Sequence, residues 1–384
     1  MANLSDAFAD AFLGHTIRLG RYSAGVGSKV LALLLKLEEE LEDQILRYDI
    51  AGVGREVYKR ARAEALLKQT KGSISTAYGK VHKLAQAELL ELSAADLKRV
   101  VKTLNRALQG SVWGTSVSRG ELRQLIGNTM IQGSPAKQWW AKQSRDLHTR
   151  FSSQMRIGVA AGETNEQLVK RIRGQRTGAK RIVEIDGERI PVSTYQGGVF
   201  DGSKREAMAL VRTAVQTVSA GTVRKVYEEN GDIVKGIGLK VTLDTRTTLI
   251  CIALSGGMWD LEGNPLPDST VQEQYKGPPP FHWNCRTFEY PITYTWEELM
   301  DRAAGGRKLK GKLDTVPETV RASIDGEVSG DWNYVDWLKS KSAAEQRSIL
   351  GPGRYKLWKS GKLQLQHLID QNNRPLTLDE LEEL

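Results

Sequence analysis

The sequence predicts an α+β fold that is predominantly α-helical, with a helical N-terminal region, a small α+β central module that contains a β-hairpin, and a short helical C-terminal tail. Three observations predict it: helical periodicity with capping signals early in the chain, alternation around an Asp-Gly turn in the middle, and clustered Trp and Leu near the end. At 384 residues the chain is too long for one ordinary domain. We predict four segments: 1–175, 176–300, a linker at 301–330, and 331–384.

The composition is that of a folded globular protein. Hydrophobic residues make up 40% of the chain and charged residues 26%, which excludes disordered, fibrous and disulfide-scaffold proteins. No apolar run approaches the roughly 20 residues that span a bilayer, so we expect no membrane partner. Two cysteines in 384 residues predict a fold that disulfides do not organise, as expected for a reducing cytoplasm.

The N-terminal region is predicted to contain a long amphipathic helix. Apolar residues recur at spacings of three and four, which is the period of one helix face. This face consists of Val30, Leu34, Leu37, Leu41 and Ile45. We expect four acids on the opposite, solvated face: Glu38, Glu39, Glu42 and Asp43. The predicted helix has about 20 residues and ends before Gly52.

Further helices are indicated by their start signals. The pairs Ser93 with Asp96, Ser118 with Glu121, and Thr164 with Gln167 fit the capping box, in which two side chains satisfy free backbone N–H groups. A Ser-Pro pair at 134–135 predicts a capping serine followed by proline at the first helical position.

The centre of the chain changes from helical to alternating patterns. Residues 170–181 are strongly basic and are predicted to form a linker. An Asp-Gly pair between two alternating runs predicts a β-hairpin over 181–192. We expect a helix over 201–229 and a strand over 238–243. The Gly- and Pro-rich stretch 255–281 is expected to be irregular, and to have too little apolar content to fold without a tether.

Charge is unevenly distributed along the chain. Residues 51–200 contain 26 Lys and Arg against 12 Asp and Glu, a net +14 within a chain of net charge +9. Such a segment either meets a polyanion or forms a solvated helical face, and both interpretations stay open. The candidates for contact with nucleic-acid phosphates are Lys170, Arg171, Arg173, Arg176, Lys180 and Arg181.

Both cysteines fall in one region together with a histidine. Cys251 precedes His282 by 31 residues, and Cys285 follows three residues later. Two thiolates and an imidazole are three ligands that suit zinc, and Asp244 is a candidate for a fourth. Three other interpretations stay open: two buried reduced thiols beside a hydrogen-bonded histidine, a cystine between the two cysteines, and a nucleophilic cysteine activated by His282.

These residues resemble those of the phage Mu protein F-like minor head proteins, the phage head morphogenesis family. The shared pattern is an Arg-Thr helix, an Asp-x-Arg-Thr turn, a cysteine, and a proline-led His-x-Asn-Cys-Arg closing motif. Its members here are Arg212, Thr213, Asp244, Arg246, Thr247, Cys251, His282, Asn284, Cys285 and Arg286. The resemblance covers about residues 200–295, extends to 161–173, and includes the tail over 335–381.

The resemblance implies a minor structural protein of a tailed-phage or prophage head that is not an enzyme. It implies association with the portal protein and the major capsid protein, with scaffold and genomic DNA as further candidate partners. The helical region 1–175 would contact the portal. The implied location is the virion, with the host cytoplasm during assembly. No cofactor is expected apart from the zinc considered above. The alternatives are a metal- or thiol-dependent hydrolase acting in maturation or DNA entry, and a DNA-binding internal head protein.

Overall fold

The computed structural model describes residues 4–50, 56–107, 113–185, 188–294, 298, 320–324, 326–329 and 332–383. Its α-helices are α1 (Leu4–Tyr48), α2 (Glu56–Ala107), α3 (Arg119–Asn128), α4 (Ala136–Ala160), α5 (Asn165–Arg173), α6 (Val199–Glu229), α7 (Leu249–Ala253), α8 (Tyr334–Lys339), α9 (Ala343–Leu350), α10 (Pro352–Lys359) and α11 (Leu378–Glu382). A 3₁₀ turn covers Leu365–Leu368. The strands are β1 (Met130–Ile131), β2 (Ser134–Pro135), β3 (Gly174–Ile185), β4 (Glu188–Gly197), β5 (Val234–Lys240), β6 (Met258–Asp260), β7 (Phe288–Thr293), β8 (Val320–Ser323) and β9 (Gly326–Ser329). The predicted α+β class with predominant helix is confirmed.

The strands form small antiparallel sheets. One sheet has three strands in the order β6-β5-β7, and β1–β2, β3–β4 and β8–β9 form two-stranded hairpins. The predicted linker 301–330 falls mainly outside the described residues, and its described end is the β8–β9 hairpin. Among the described helices, none is both long and apolar enough to cross a bilayer.

The predicted basic linker is wrong, because 170–181 is the end of α5 followed directly by strand β3. The change from helix to strand takes place at Gly174, which has a φ of +86°. A Cβ at this position would lie 2.4 Å from the Gln196 carbonyl oxygen and 2.4 Å from the Gly198 amide nitrogen. Only glycine therefore fits, and it pairs with Gly197 to close a hairpin longer than predicted.

The described residues pack as two compact units that alternate along the chain. The first consists of Met1–Leu19, Ser93–Leu125 and Gln216–Leu384, and the second of Gly20–Leu92 and Ile126–Val215. The four-segment division predicted from the sequence stays a prediction.

In the second unit, the predicted apolar face of α1 is confirmed. Its five residues are at most 1% exposed, although α1 itself has 45 residues rather than about 20. The expectation that all four acids are solvated is wrong. Glu38 is 3% exposed and accepts a hydrogen bond from Lys204 Nζ, and Glu42 forms an ion pair with Arg173. A buried carboxylate needs such a partner, and the partners come from distant parts of the chain.

The predicted helix starts have mixed outcomes. The boxes at Ser118 and Thr164 form as predicted. Ser134 belongs to β2, and α4 begins at Ala136 without a side-chain cap. Ser93 begins no helix, because it lies inside α2, which has 52 residues in total. The apolar spacing of α2 continues across this point, and Asp96 accepts a hydrogen bond from Ser219 on α6.

Asp96 belongs to a buried polar chain in the first unit. The Ser219 hydroxyl donates to Asp96 Oδ2 at 2.7 Å and lies 3.0 Å from His15 Nε2, while Arg99 donates to Asp96 Oδ1 at 3.1 Å. Burial lowers the pKa of His15 to about 4, assisted by the charges of Arg18 and Arg99. Burial raises the pKa of Asp96 to about 6, against the hydrogen bond from Ser219 and the charge of Arg99.

Because the two pKa shifts are opposite, this pair should change the free energy of unfolding little between about pH 4 and 6. In that range the folded pair holds a proton on Asp96, whereas the unfolded chain, with ordinary values of 3.8 and 6.5, holds it on His15. Asp96→Asn leaves only the histidine, so the unfolded state binds more protons and the free energy of unfolding should rise by about 2 to 3 kcal/mol from pH 4 to 6.5.

His15→Gln should show the opposite slope, because the remaining carboxyl binds more protons when folded. Urea unfolding across this pH range, with the half-exposed Asp146→Asn as a control, measures both slopes. Identical pH profiles for both variants and the parent would contradict the assignment.

Candidate functional site

The turn after β5 is organised by the carboxylate of Asp244. Its Oδ1 accepts a hydrogen bond from the backbone N–H of Arg246 at 3.0 Å and lies 3.2 Å from the Thr247 hydroxyl. The same hydroxyl lies 2.6 Å from the carbonyl oxygen of Thr242. A side chain that accepts a hydrogen bond from the backbone N–H two residues ahead stabilises a turn. The short polar stretch after the buried strand therefore folds as a turn.

Asp244 also connects the turn to the closing motif. The Arg286 guanidinium donates to Asp244 Oδ2 at 2.5 Å and to Oδ1 at 2.8 Å, a bidentate pair, and Asp244 is only 4% exposed. Burial raises the pKa of Asp244, but the hydrogen bonds from Arg286, Arg246 and Thr247 outweigh it and hold the pKa below its ordinary value. The Arg246 guanidinium also lies 3.5 Å from Asp244 Oδ2, but its side chain is 80% exposed, so solvent screens this ion pair.

The closing motif folds into a tight turn. The backbone N–H of Cys285 donates to the carbonyl oxygen of His282 at 3.2 Å. Asn284 has a φ of +59°, a left-handed conformation that Asn adopts more readily than most residues. The ring Nδ1 of His282 lies 2.9 Å from the carbonyl oxygen of Trp283. A carbonyl only accepts, so Nδ1 carries the proton and the lone pair of Nε2 points elsewhere.

The structure brings the three predicted metal ligands together. Cys251, on α7, has its Sγ 3.2 Å from His282 Nε2 and 3.7 Å from Cys285 Sγ, and both thiols are free. The three ligand atoms lie within 4.8 Å of one another. The hydroxyl of Thr287 donates to Cys251 Sγ at 3.1 Å. Within the described part of the chain, Asp244 does not join this group, because its carboxylate is engaged by Arg286.

The electrostatics of the cluster favour one negative charge on sulfur. The hydrogen bond from Cys251, with a further contribution from His282, lowers the pKa of Cys285 to about 4 despite its burial. The same sulfur pair raises the pKa of Cys251. Burial lowers the pKa of His282, but its interactions with Cys285 and Trp283 outweigh this and raise it overall.

A nucleophilic cysteine requires an accessible sulfur and an oriented base. Cys251 is 3% exposed and Cys285 is 6% exposed, so neither sulfur faces solvent. The ring of His282 is held by a backbone carbonyl, and the carboxylate of Asp244 is paired with Arg286 rather than with the imidazole. The arrangement is therefore better suited to holding the turn together than to covalent catalysis.

Arg212 and Thr213 lie in the second compact unit, on α6. Arg212 is exposed, whereas Thr213 is buried and its hydroxyl donates to the carbonyl of Ala209 one turn earlier. The Arg-Thr pair of the motif thus belongs to the second unit, whereas the motif residues from Asp244 to Arg286 belong to the first.

Of the six basic candidates for phosphate contact, two are paired with other side chains, three are exposed, and one has a side chain outside the described residues. Arg171 is bound by Glu163, and Arg173 pairs with Glu42 while its guanidinium lies 4.2 Å from the centre of the Tyr195 ring. Three others are exposed at the end of α5 or on β3: Lys170, Arg176 and Lys180. The side chain of Arg181 lies outside the described residues.

Sequence reasoning missed a tail residue that supports the site. The hydroxyl of Tyr334 donates to the Asp244 carbonyl oxygen at 3.0 Å, and its backbone N–H donates to Ser255 Oγ at 2.8 Å. Tyr334 is fully buried in a core shared by tail residues with Cys251 and Cys285. The available signal was the Asn333–Asp336 capping box, which places Tyr334 at the first position of α8.

The segment 255–281 is largely irregular, as predicted. Its need for a tether stays a prediction, but it has apolar anchors: Trp259 and Val271 are buried, and the Tyr275 ring stacks on Trp259 with centroids 4.6 Å apart. Tyr275 also donates to the buried Glu289 at 2.6 Å. Aromatic anchors scattered among Gly and Pro carry no periodic signal, so the sequence pattern did not reveal them.

Residues 149–289 match the family model of the Phage Mu protein F like proteins. This segment belongs to that family. The match confirms the resemblance drawn from the motifs, and it covers less than half of the 384 residues. The Mu F-like segment supports a structural role in phage head morphogenesis. Neither the curated proteins nor the solved structures include one that matches the chain.

The ion pair in the Mu F-like segment yields a stability prediction. Asp244→Asn removes the carboxylate and leaves Arg286 half-buried without it, so the free energy of unfolding should fall by about 2 kcal/mol. Because the pKa of Asp244 is held below its ordinary value of 3.8, the contribution is present above that pH and is lost as the pH falls. Parent and variant should therefore converge in acid.

Chemical denaturation at pH 7 and in acid measures the effect. Arg286→Lys keeps the charge without the two-pronged geometry and should lose about half as much stability. Asp268→Asn is the matched control, since it makes the same change at an exposed carboxylate. A loss in Asp268→Asn equal to that in Asp244→Asn would contradict the central role of the ion pair.

Proposed function

We propose that this chain is a minor structural protein of a tailed-phage head that binds the portal protein and the major capsid protein. It would assemble in the host cytoplasm and remain in the virion. The observation that supports this most strongly is the Mu F-like segment at residues 149–289. The family is one of phage head morphogenesis.

The geometry of the motif is consistent with a structural role. Asp244 and Arg286 neutralise each other, and the two sulfurs are buried. The tail packs against the same cluster through Tyr334 and Trp337, both at most 1% exposed. The most distinctive side chains of the family motif are thus directed inward, where they stabilise one conformation, and contacts with head proteins would be made by other surfaces.

The first test of this function is location. The protein should co-purify with heads that contain portal and should be lost from particles assembled without portal, because the proposed contact is with the portal. Quantitative mass spectrometry of gradient-purified particles measures both, with major capsid protein as the internal standard. Deletion of the gene should reduce the yield of filled, infectious heads. A protein that stays in the soluble fraction while normal heads form without it is not a head component.

A contact with the packaged genome is a second candidate function, supported by the exposed cations. Lys170 is exposed at the end of α5, and Arg176 and Lys180 are exposed on β3. Exposed cations suit the phosphate backbone and carry no means of distinguishing bases. We include DNA as a partner on this basis.

Salt dependence tests this contact. Binding to duplex DNA should weaken as salt rises, and Lys170→Gln/Arg176→Gln/Lys180→Gln should reduce the slope of log K against log salt by about 2 to 3, because three phosphate contacts are lost. A matched control replaces three exposed tail lysines, Lys356, Lys359 and Lys362, by glutamine. Fluorescence anisotropy at several salt concentrations measures the slopes. Equal slopes for the two triple variants would assign the binding to general charge.

A further inference from the structure

The spacing of the three ligand atoms matches part of a zinc coordination shell. With Zn–S bonds of about 2.3 Å and Zn–N bonds of about 2.0 Å, tetrahedral geometry puts two sulfurs about 3.7 Å apart and a sulfur and a nitrogen about 3.5 Å apart. The Cys251 and Cys285 sulfurs are 3.7 Å apart, and Cys251 Sγ is 3.2 Å from His282 Nε2. The third pair, Cys285 Sγ and His282 Nε2, lies within 4.8 Å.

The groups around these atoms are those that orient metal ligands. A ligating histidine commonly donates its second ring N–H to a carbonyl, which points the other nitrogen at the metal. His282 does this through Nδ1 and the Trp283 carbonyl oxygen, 2.9 Å away. Cys251 Sγ accepts a hydrogen bond from the buried Thr287 hydroxyl. The backbone carbonyl of Thr287 in turn accepts a hydrogen bond from the Gln216 side chain at 2.8 Å. The sulfur and the imidazole are therefore already oriented toward one point.

We propose that Cys251, His282 and Cys285 bind one zinc ion through two sulfurs and one imidazole nitrogen, with water in the fourth position. Two thiolates and an imidazole favour zinc over the oxygen-seeking Mg²⁺ and Ca²⁺. Within the described residues no fourth His, Cys or carboxylate joins the group, and His282 is half-exposed, so we assign the fourth position to water. Binding releases the thiol protons that remain.

The ion would connect two segments that are distant in sequence. Cys251 lies on α7, and His282 and Cys285 lie on the turn that leads into β7. The intervening loop has its own anchors, because Trp259 is buried and its indole N–H donates to the Glu273 carbonyl at 2.8 Å. We therefore expect metal loss to loosen the turn and α7 rather than to unfold the whole loop.

Metal analysis of the full-length chain tests the site. The protein is purified under reducing conditions without chelator, incubated with zinc and desalted, and we expect about one zinc per chain by elemental analysis. An organomercurial reagent should release one zinc for every two thiols that it modifies. Replacing zinc by Co²⁺ should give the strong visible bands of a tetrahedral site and a near-ultraviolet sulfur-to-cobalt band.

Variants assign the ligands. Cys285→Ser and Cys251→Ser should each weaken the sulfur-to-cobalt band by about half, and His282→Ala should keep the band while lowering zinc affinity by more than about tenfold. His367→Ala, an exposed histidine elsewhere, is the matched control. Circular dichroism checks that each variant is folded, and the stoichiometry of the parent chain stands without them.

Three outcomes overturn the proposal. One is a zinc content near zero with both thiols freely titrating, which leaves only packing and hydrogen bonds at the cluster. Another is zinc bound with full stoichiometry to folded Cys251→Ser/Cys285→Ser, which places the metal elsewhere. The third is a Cys251–Cys285 disulfide in protein taken directly from the cytoplasm without reductant.

Discussion

The carboxylate of Asp244 is the constraint on which the described part of the central fold depends. It holds its own turn through the Arg246 N–H and Thr247, and it holds the closing motif through both arms of Arg286. Its backbone carbonyl accepts from Tyr334 of the tail. A carboxylate that is 4% exposed is costly to desolvate unless its lone pairs are satisfied, and here both oxygens are. Three separate stretches of chain are therefore fixed around one charge.

The ion pair also determines where the sulfurs lie. Cys251 is on the short helix that follows the Asp244 turn, and Cys285 directly precedes Arg286. Joining Asp244 to Arg286 therefore brings the two sulfur-bearing segments together without a covalent bond between the sulfurs. The ion pair and the buried Trp259 each contribute to holding the loop between these segments closed. A metal at the cluster would rigidify an arrangement that already exists, which is the favourable case for tight binding.

Local signals predicted the features that local physics determines. The apolar face of α1 and the capping boxes at Ser118 and Thr164 follow from helical geometry alone, and the residue types of the Cys-His cluster follow from ligand chemistry. The failures have a common cause in distant partners. Glu38 and Asp96 have the residue types of solvated or capping positions, yet Lys204 and Ser219 make burial acceptable. No pattern within a helix specifies which remote side chain will supply the compensating charge or hydroxyl.

The polar groups of the motif face one another rather than a cavity. An enzyme keeps perturbed groups beside a cavity that admits substrate, because the chemistry requires contact. In this motif the perturbed groups, Cys285 and His282, face each other, and the charge of Asp244 is matched within the fold. In the second unit, the exposed cations Arg176 and Lys180 lie on the β3–β4 hairpin, whose strands carry few buried side chains among the described ones. A charged strand with few buried side chains has its polar groups available to a large partner, whereas the polar groups of the motif in the first unit are satisfied by one another.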